Sequence, residues 1–157
     1  MVRAGARDAK RISRLVRNSG AYQGPYASMV DGYRVGPDYL AAHRVFMAVE
    51  GDGERDGDGG GGRLLGFYSL IVEPPELDLM FVADDVQGAG IGRLLVEHMR
   101  GEARRAGITQ VRVVSHPPAE GFYRSVGALR SGTERARPPA VMWDRPEFVI
   151  PVGSAQE

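Results

Sequence analysis

Hydrophobic positions along the chain fall into short blocks whose spacing switches between helical and extended periods. Over residues 7–19, Ile12, Leu15 and Val16 repeat at helical spacing among arginines, which predicts an amphipathic helix ending at Gly20. Residues 37–43 predict a short second helix, and the apolar run 45–49 a buried strand. Residues 64–72 predict another strand, closed by Pro74-Pro75. Over residues 76–82 the chain alternates, with Glu76, Asp78, Met80 and Val82 expected on one face and Leu77, Leu79 and Phe81 on the other. Ile91, Leu95, Met99, Ala103 and Ala106 mark a long helix that Gly107 stops. A short strand at 111–114, a helix at 119–126 ended by Gly127 and a last strand at 148–150 complete the pattern. After two N-terminal helices, strands and helices alternate around one mostly antiparallel sheet, which places the chain in the α/β (α+β) class.

Two polar stretches interrupt this order. Residues 22–39 carry four of the six tyrosines and are broken by Gly24-Pro25, Gly32 and Gly36-Pro37, an irregular aromatic connection. Residues 51–62 are rich in glycine and aspartate and lie between two strand-like runs, as the tip of a hairpin would. Calcium-binding glycine-rich repeats need tandem copies, and there is a single stretch here.

The length of 157 residues suits one domain. Twenty basic residues balance twenty acidic ones, which leaves no electrostatic footprint for nucleic acid or an anionic membrane. No signal-peptide core follows Met1, and no apolar run approaches the roughly 20 residues of a spanning helix, so a cytoplasmic protein is expected. With no cysteine there is no disulfide, no thiolate metal site and no thiol to carry an acyl group. His43, His98 and His116 lack ligand spacing, so no metal is expected, and the absence of a G-x-S-x-G elbow argues against a serine triad. Lys10 is the one lysine, a bias that reads as GC-rich, bacterial coding.

The densest chemical signal runs from Val82 to Leu95. An apolar strand end passes through Gln87 into Gly88-Ala89-Gly90-Ile91-Gly92-Arg93 and on into the long helix. Glycines here remove side chains where a diphosphate would approach, and the first helical turn offers N–H groups and the positive end of the dipole. A P-loop would end in Gly-Lys-Ser/Thr, which Arg93-Leu94 does not supply. The dinucleotide pattern G-x-G-x-x-G fails as well, since its third glycine would fall on Arg93 or Leu95. Gly92, inside the helix, costs about 1 kcal/mol relative to alanine with no structural return legible in the sequence, which favours a ligand reason.

What remains, Gln87-x-x-Gly90-x-Gly92, resembles the signature of the GCN5-related N-acetyltransferase (GNAT) superfamily. A second segment, Ala119-Glu120-Gly121-Phe122-Tyr123-Arg124-Ser125-Val126-Gly127-Ala128, is similar to that family's A-x-x-F-Y-x-x-x-G-F at the expected distance downstream. The resemblance is good over about residues 64–130 and otherwise one of layout. It implies a central mostly antiparallel sheet of about six to seven strands flanked by about four helices, with acetyl-CoA as acyl donor and direct transfer to an amine.

The resemblance also implies roles. The amides of Gly88, Ala89, Gly90, Ile91, Gly92 and Arg93 would hold the pyrophosphate, with Gln87 fixing the turn and Val82, His116 and Phe122 along the cofactor. Many members carry Arg or Lys where Gly88 and Ala89 stand, so affinity would lean on Arg93 or Arg124, and His116 replaces a common asparagine. An amine of pKa about 10 pays about 4 kcal/mol to expose its lone pair at pH 7, so a base helps. Glu76 occupies the position of the catalytic glutamate in the histone-acetylating branch, and Asp78 is the alternative. The backbone N–H of Met80 would serve the oxyanion, and Tyr123 would protonate the leaving thiolate. The acceptor would sit against residues 22–39 and 133–143, with Tyr22, Tyr26 and Tyr33 as candidate contacts. A small-molecule amine is the favoured acceptor; a peptide or protein amine, or a silent acyl-CoA-binding module, are the rivals, and a homodimer is left open.

Overall fold

The structure, a computed structural model, describes residues 1–20, 34–51 and 62–153. In chain order its elements are β1 (Val2–Arg3), α1 (Ala9–Arg17), α2 (Pro37–Ala42), β2 (Arg44–Val49), β3 (Leu64–Ile71), β4 (Glu76–Val82), α3 (Ile91–Arg105), β5 (Gln110–Val114), α4 (Glu120–Ser125), β6 (Leu129–Glu134) and β7 (Arg145–Pro151). Seven strands form one sheet in the order β1-β2-β3-β4-β5-β7-β6. β4 and β5 run parallel, and the other neighbours are antiparallel. β6 was not legible in the apolar pattern because it is an exposed edge strand, recruited by its partner β7.

Each face of the sheet buries its own apolar cluster. α3 lays Leu95, Val96, Met99 and Ala103 on Tyr68, Leu70, Val111, Val113, Phe148 and Ile150. α1 and α2 cover the opposite face with Ile12, Val16 and Leu40 against Val45, Met47, Phe67 and Phe81. Full burial of a Leu, Val or Met side chain contributes about 1.5–3 kcal/mol, so α3 is held by packing along its length. Gly107, at φ +78, turns the chain out of α3 as expected. Between α3 and β3, the Tyr68 hydroxyl lies 2.8 Å from His98 Nδ1. Burial lowers the His98 pKa and raises that of Tyr68 well above its ordinary value. The contact is therefore one between a protonated phenol and a neutral imidazole.

The strict alternation expected over residues 76–82 is corrected by the structure. Ser69 pairs with Leu79 but Leu70 with Leu77, so β4 carries an extra residue at Asp78, a β-bulge. A bulge inverts the faces on either side of it. Leu77 accordingly packs with Met80 and Val82 in the α3 cluster, while Leu79 and Phe81 face α1 and α2.

Candidate active site

β4 and β5 pair at one point among the described residues, Glu76 with Arg112, where the Arg112 N–H also donates to the Pro75 carbonyl at 3.2 Å. Beyond it the strands part around a cavity of about 520 Å³, walled by residues 77–82 of β4, by Val113 and Val114, by the glycine turn, and by Phe122 and Tyr123 of α4. Ala83 N–H donates to Leu65 C=O in β3 at 2.8 Å. Strand alternation then turns the Met80 and Val82 main-chain groups away from β3, toward the gap. The Gln87 side chain takes one of them, donating to Val82 C=O at 2.9 Å and tying the turn to the strand.

The glycines do different jobs. Gly88 and Gly90 sit at φ +83 and +88, the left-handed region, and a Cβ on either would meet nothing within 4 Å, so the turn is uncovered. Gly90 is the N-cap of α3, and Leu94 N–H to Gly90 C=O at 3.0 Å is the helix's first intrahelical bond. The amides of Ile91, Gly92 and Arg93 head the helix, the arrangement that suits an anion. Gly92 does have a structural return, contrary to the expectation from sequence: a Cβ there would lie 3.0 Å from Phe122 Cε1, so its bare backbone seats that ring. Ala89 does not line the cavity, and its N–H is already given to Val86 C=O at 3.2 Å. Arg93 lines the cavity, whereas Arg124 does not and pairs with Glu120 at 2.9 Å.

On the other side of the cleft, Asp78 is exposed and lines the cavity. Tyr39 of α2 donates its hydroxyl to Asp78 Oδ2 at 2.5 Å and lies 2.7 Å from Ser69 Oγ, which accepts the Leu79 N–H at 3.0 Å. An ionised Asp78 can only accept, so the tyrosine's single proton points at it and Ser69 donates to the tyrosine. The chain Leu79 N–H, Ser69, Tyr39, Asp78 fixes the bulge carboxylate in place. Ser69 is fully buried in an otherwise apolar strand, and that polar interruption was the sequence signal for it.

Tyr123 is buried on α4, edge-on to Phe122 at 5.3 Å and stacked on Phe148 at 6.3 Å, and it lines the cavity together with His116. Glu76 is not among the lining residues. Its carboxylate accepts from Arg112 Nη1 at 3.2 Å. The cavity's lining holds no residue of 133–143, and Tyr22, Tyr26 and Tyr33 lie outside the described residues, as does nearly all of the 51–62 tip.

A family profile described as Acetyltransferase (GNAT) domain matches residues 59–138, half of the chain. The protein belongs to the GNAT family. This GNAT chain is accordingly an acyltransferase, and its fold is shared with solved structures at low identity. A GCN5-related N-acetyltransferase from Rhodopseudomonas palustris superposes with a TM-score of 0.69 at 17% identity, covering 96% of this chain and 98% of that one. A GNAT-family protein from Desulfovibrio desulfuricans gives 0.68 at 19% identity and 93% coverage of both chains. A Bacillus subtilis acetyltransferase in complex with CoA gives 0.61 at 16% identity, covering 90% of this GNAT protein and 91% of that chain. No curated protein matches the sequence.

Proposed function

We propose that the protein transfers the acetyl group of acetyl-CoA directly to a primary amine of a small molecule. The observation that carries this reading is one cavity lined at once by a glycine-capped helix start, a carboxylate and a phenol. The residues suit the donor: the uncovered turn at Gly88 and Gly90 and the amides of Ile91, Gly92 and Arg93 offer donors to a diphosphate. CoA bound to the B. subtilis neighbour supports the same choice.

Asp78, rather than Glu76, is the carboxylate placed to take the proton from the acceptor's ammonium, directly or through one water. The amine nitrogen then bonds to the thioester carbonyl carbon as the C–S bond breaks. Met80 N–H faces the gap where the carbonyl oxygen gains charge, and a main-chain donor needs no reorganisation to serve it. The departing sulfur takes the Tyr123 hydroxyl proton; a phenol of pKa about 10 is protonated at pH 7 and can donate to a thiolate. Arg93, not Arg124, is the arginine available to the phosphates.

The reading is tested by free-thiol release from acetyl-CoA across a panel of small amines and lysine peptides, run beside Asp78→Asn and Tyr123→Phe. Turnover confined to small amines, with a loss of roughly 10²–10⁴-fold in each variant, is the expected result. Turnover of peptides alone would replace the acceptor assignment. Full activity in Asp78→Asn would remove the base.

A further inference from the structure

The residue that sequence reasoning favoured as base sits at the apex of the cleft. Glu76 and Arg112 form the one point at which β4 and β5 pair before they diverge, and 77–82 and Val113–Val114 already line the cavity from the next residue onward. Arg112 reaches three other strands at that point. From β5 its Nη1 donates to Glu76 of β4 at 3.2 Å, its Nε to Glu147 of β7 at 2.5 Å, and its Nη2 to Glu134 of β6 at 2.9 Å. One guanidinium thus uses all three nitrogens on three carboxylates of three different strands, a geometry a lysine cannot reproduce. The Arg112 guanidinium beside Glu147 holds that carboxyl below the usual carboxylate range, which keeps the partner charged.

We propose that Arg112 and Glu76 are positioning residues, a pin that sets how far β4 and β5 splay and so fixes the distance between the walls that grip CoA. Neither touches the substrate. Their effect passes through the backbone: among the described residues β4 pairs with β5 nowhere else, so loss of the pin leaves only the main-chain hydrogen bonds of that one bridge, the Pro75 carbonyl to Arg112 N–H bond among them, to hold the strands at the apex. Glu134 and Glu147 lie on β6 and β7 and do not bridge the gap, which separates the pin from the rest of the cluster.

This inference rests on the reading that the cleft takes CoA, and the experiment separates the two. Titration calorimetry measures the Kd of CoA for the parent, Glu76→Gln, Glu76→Leu and Glu134→Gln, with thermal midpoints recorded for each. No acceptor or base enters that measurement. A parent that binds no CoA defeats the functional reading. Given parental binding, the pin requires Glu76→Leu to weaken CoA about tenfold, in the range of a lost hydrogen bond to a charged group. Glu76→Gln, whose amide oxygen still accepts from Arg112, should stay within about threefold of the parent, and Glu134→Gln within about twofold. Arg112→Leu crowds three unneutralised carboxylates, so its folding is checked first; if it folds, Glu76→Leu on top of it should weaken CoA no further, since the two act as one unit. Unchanged affinity in Glu76→Leu overturns the proposal. So does a loss of more than about a hundredfold in kcat/KM in Glu76→Gln at unchanged CoA affinity, which would make Glu76 the base after all.

Discussion

Gly90 and Gly107 bracket α3 and form a matched pair of perturbations. Their φ values are +88 and +78, and a Cβ on either would find nothing within 4 Å. Alanine at each position therefore meets no clash and carries only the backbone cost of the left-handed region, about 1–2 kcal/mol. For a domain of this size each kcal/mol moves the midpoint by about 2–4 °C, so both variants should melt about 2–8 °C below the parent. Ligand binding should split them. The space beside Gly90 opens over the turn proposed to hold the diphosphate, so a methyl group there displaces a phosphate oxygen from the amides. Gly107 closes the far end of the helix and does not line that cavity. Calorimetry is expected to give a CoA Kd at least about tenfold weaker in Gly90→Ala, equal to one amide-to-charge hydrogen bond or more, with Gly107→Ala unchanged. Equal CoA affinity in the two variants would refute the phosphate assignment, because the control already accounts for the shared conformational cost.

Three further outcomes follow from the site and the core. In Asp78→Asn only the neutral amine can react, so for an acceptor of pKa about 10 the deficit in kcat/KM should shrink tenfold per pH unit, from about a thousandfold at pH 7 to about tenfold at pH 9; a pH-independent ratio would exclude Asp78 as base. Gly92→Ala sets a helix-propensity gain of about 1 kcal/mol against displacement of the Phe122 ring from a 3.0 Å contact, so the midpoint should barely move while kcat falls as the shift reaches Tyr123. Phe122→Leu in that background should restore part of the rate, and an unchanged kcat in the single variant would disconnect the ring from the chemistry. His98 binds a proton less readily folded than unfolded, because burial disfavours its charged form, so stability should fall as pH drops through about 6.5. Melting at pH 7.5 and 5.5 should show that part of the loss vanish in His98→Phe, and an identical loss in parent and variant would refute it.

The glycine turn and the Phe122-Tyr123 helix were legible because each depends on local residue types at fixed spacing, and the backbone angles at Gly88 and Gly90 match what that spacing demands. The proposed base, Asp78, was harder. Its position depends on the extra residue at Asp78, and the bulge arises from a register shift against β3 that no periodicity along β4 alone reveals. Reading β4 as a regular strand put Glu76 and Asp78 on one face, whereas tertiary pairing sends Glu76 to Arg112 and Asp78 to Tyr39. Gly92 illustrates the same limit from the packing side: the partner that explains it lies thirty residues downstream on α4. Local chemistry was visible, and long-range register was not.

Where β4 and β5 part company, the sheet stops supplying its own cross-links after the first residue of β4. The Met80 peptide groups and the Val82 N–H that turn outward there, unlike the Val82 carbonyl that Gln87 holds, must be solvated whenever the cleft stands empty. A guest with amide groups spaced along a flexible arm could dock as a makeshift neighbour strand, trading that solvation for paired contacts. A thioester of equal bulk but without such amides would strip the water and return nothing. Discrimination between the two would then lie in the main chain itself, out of reach of any single side-chain substitution.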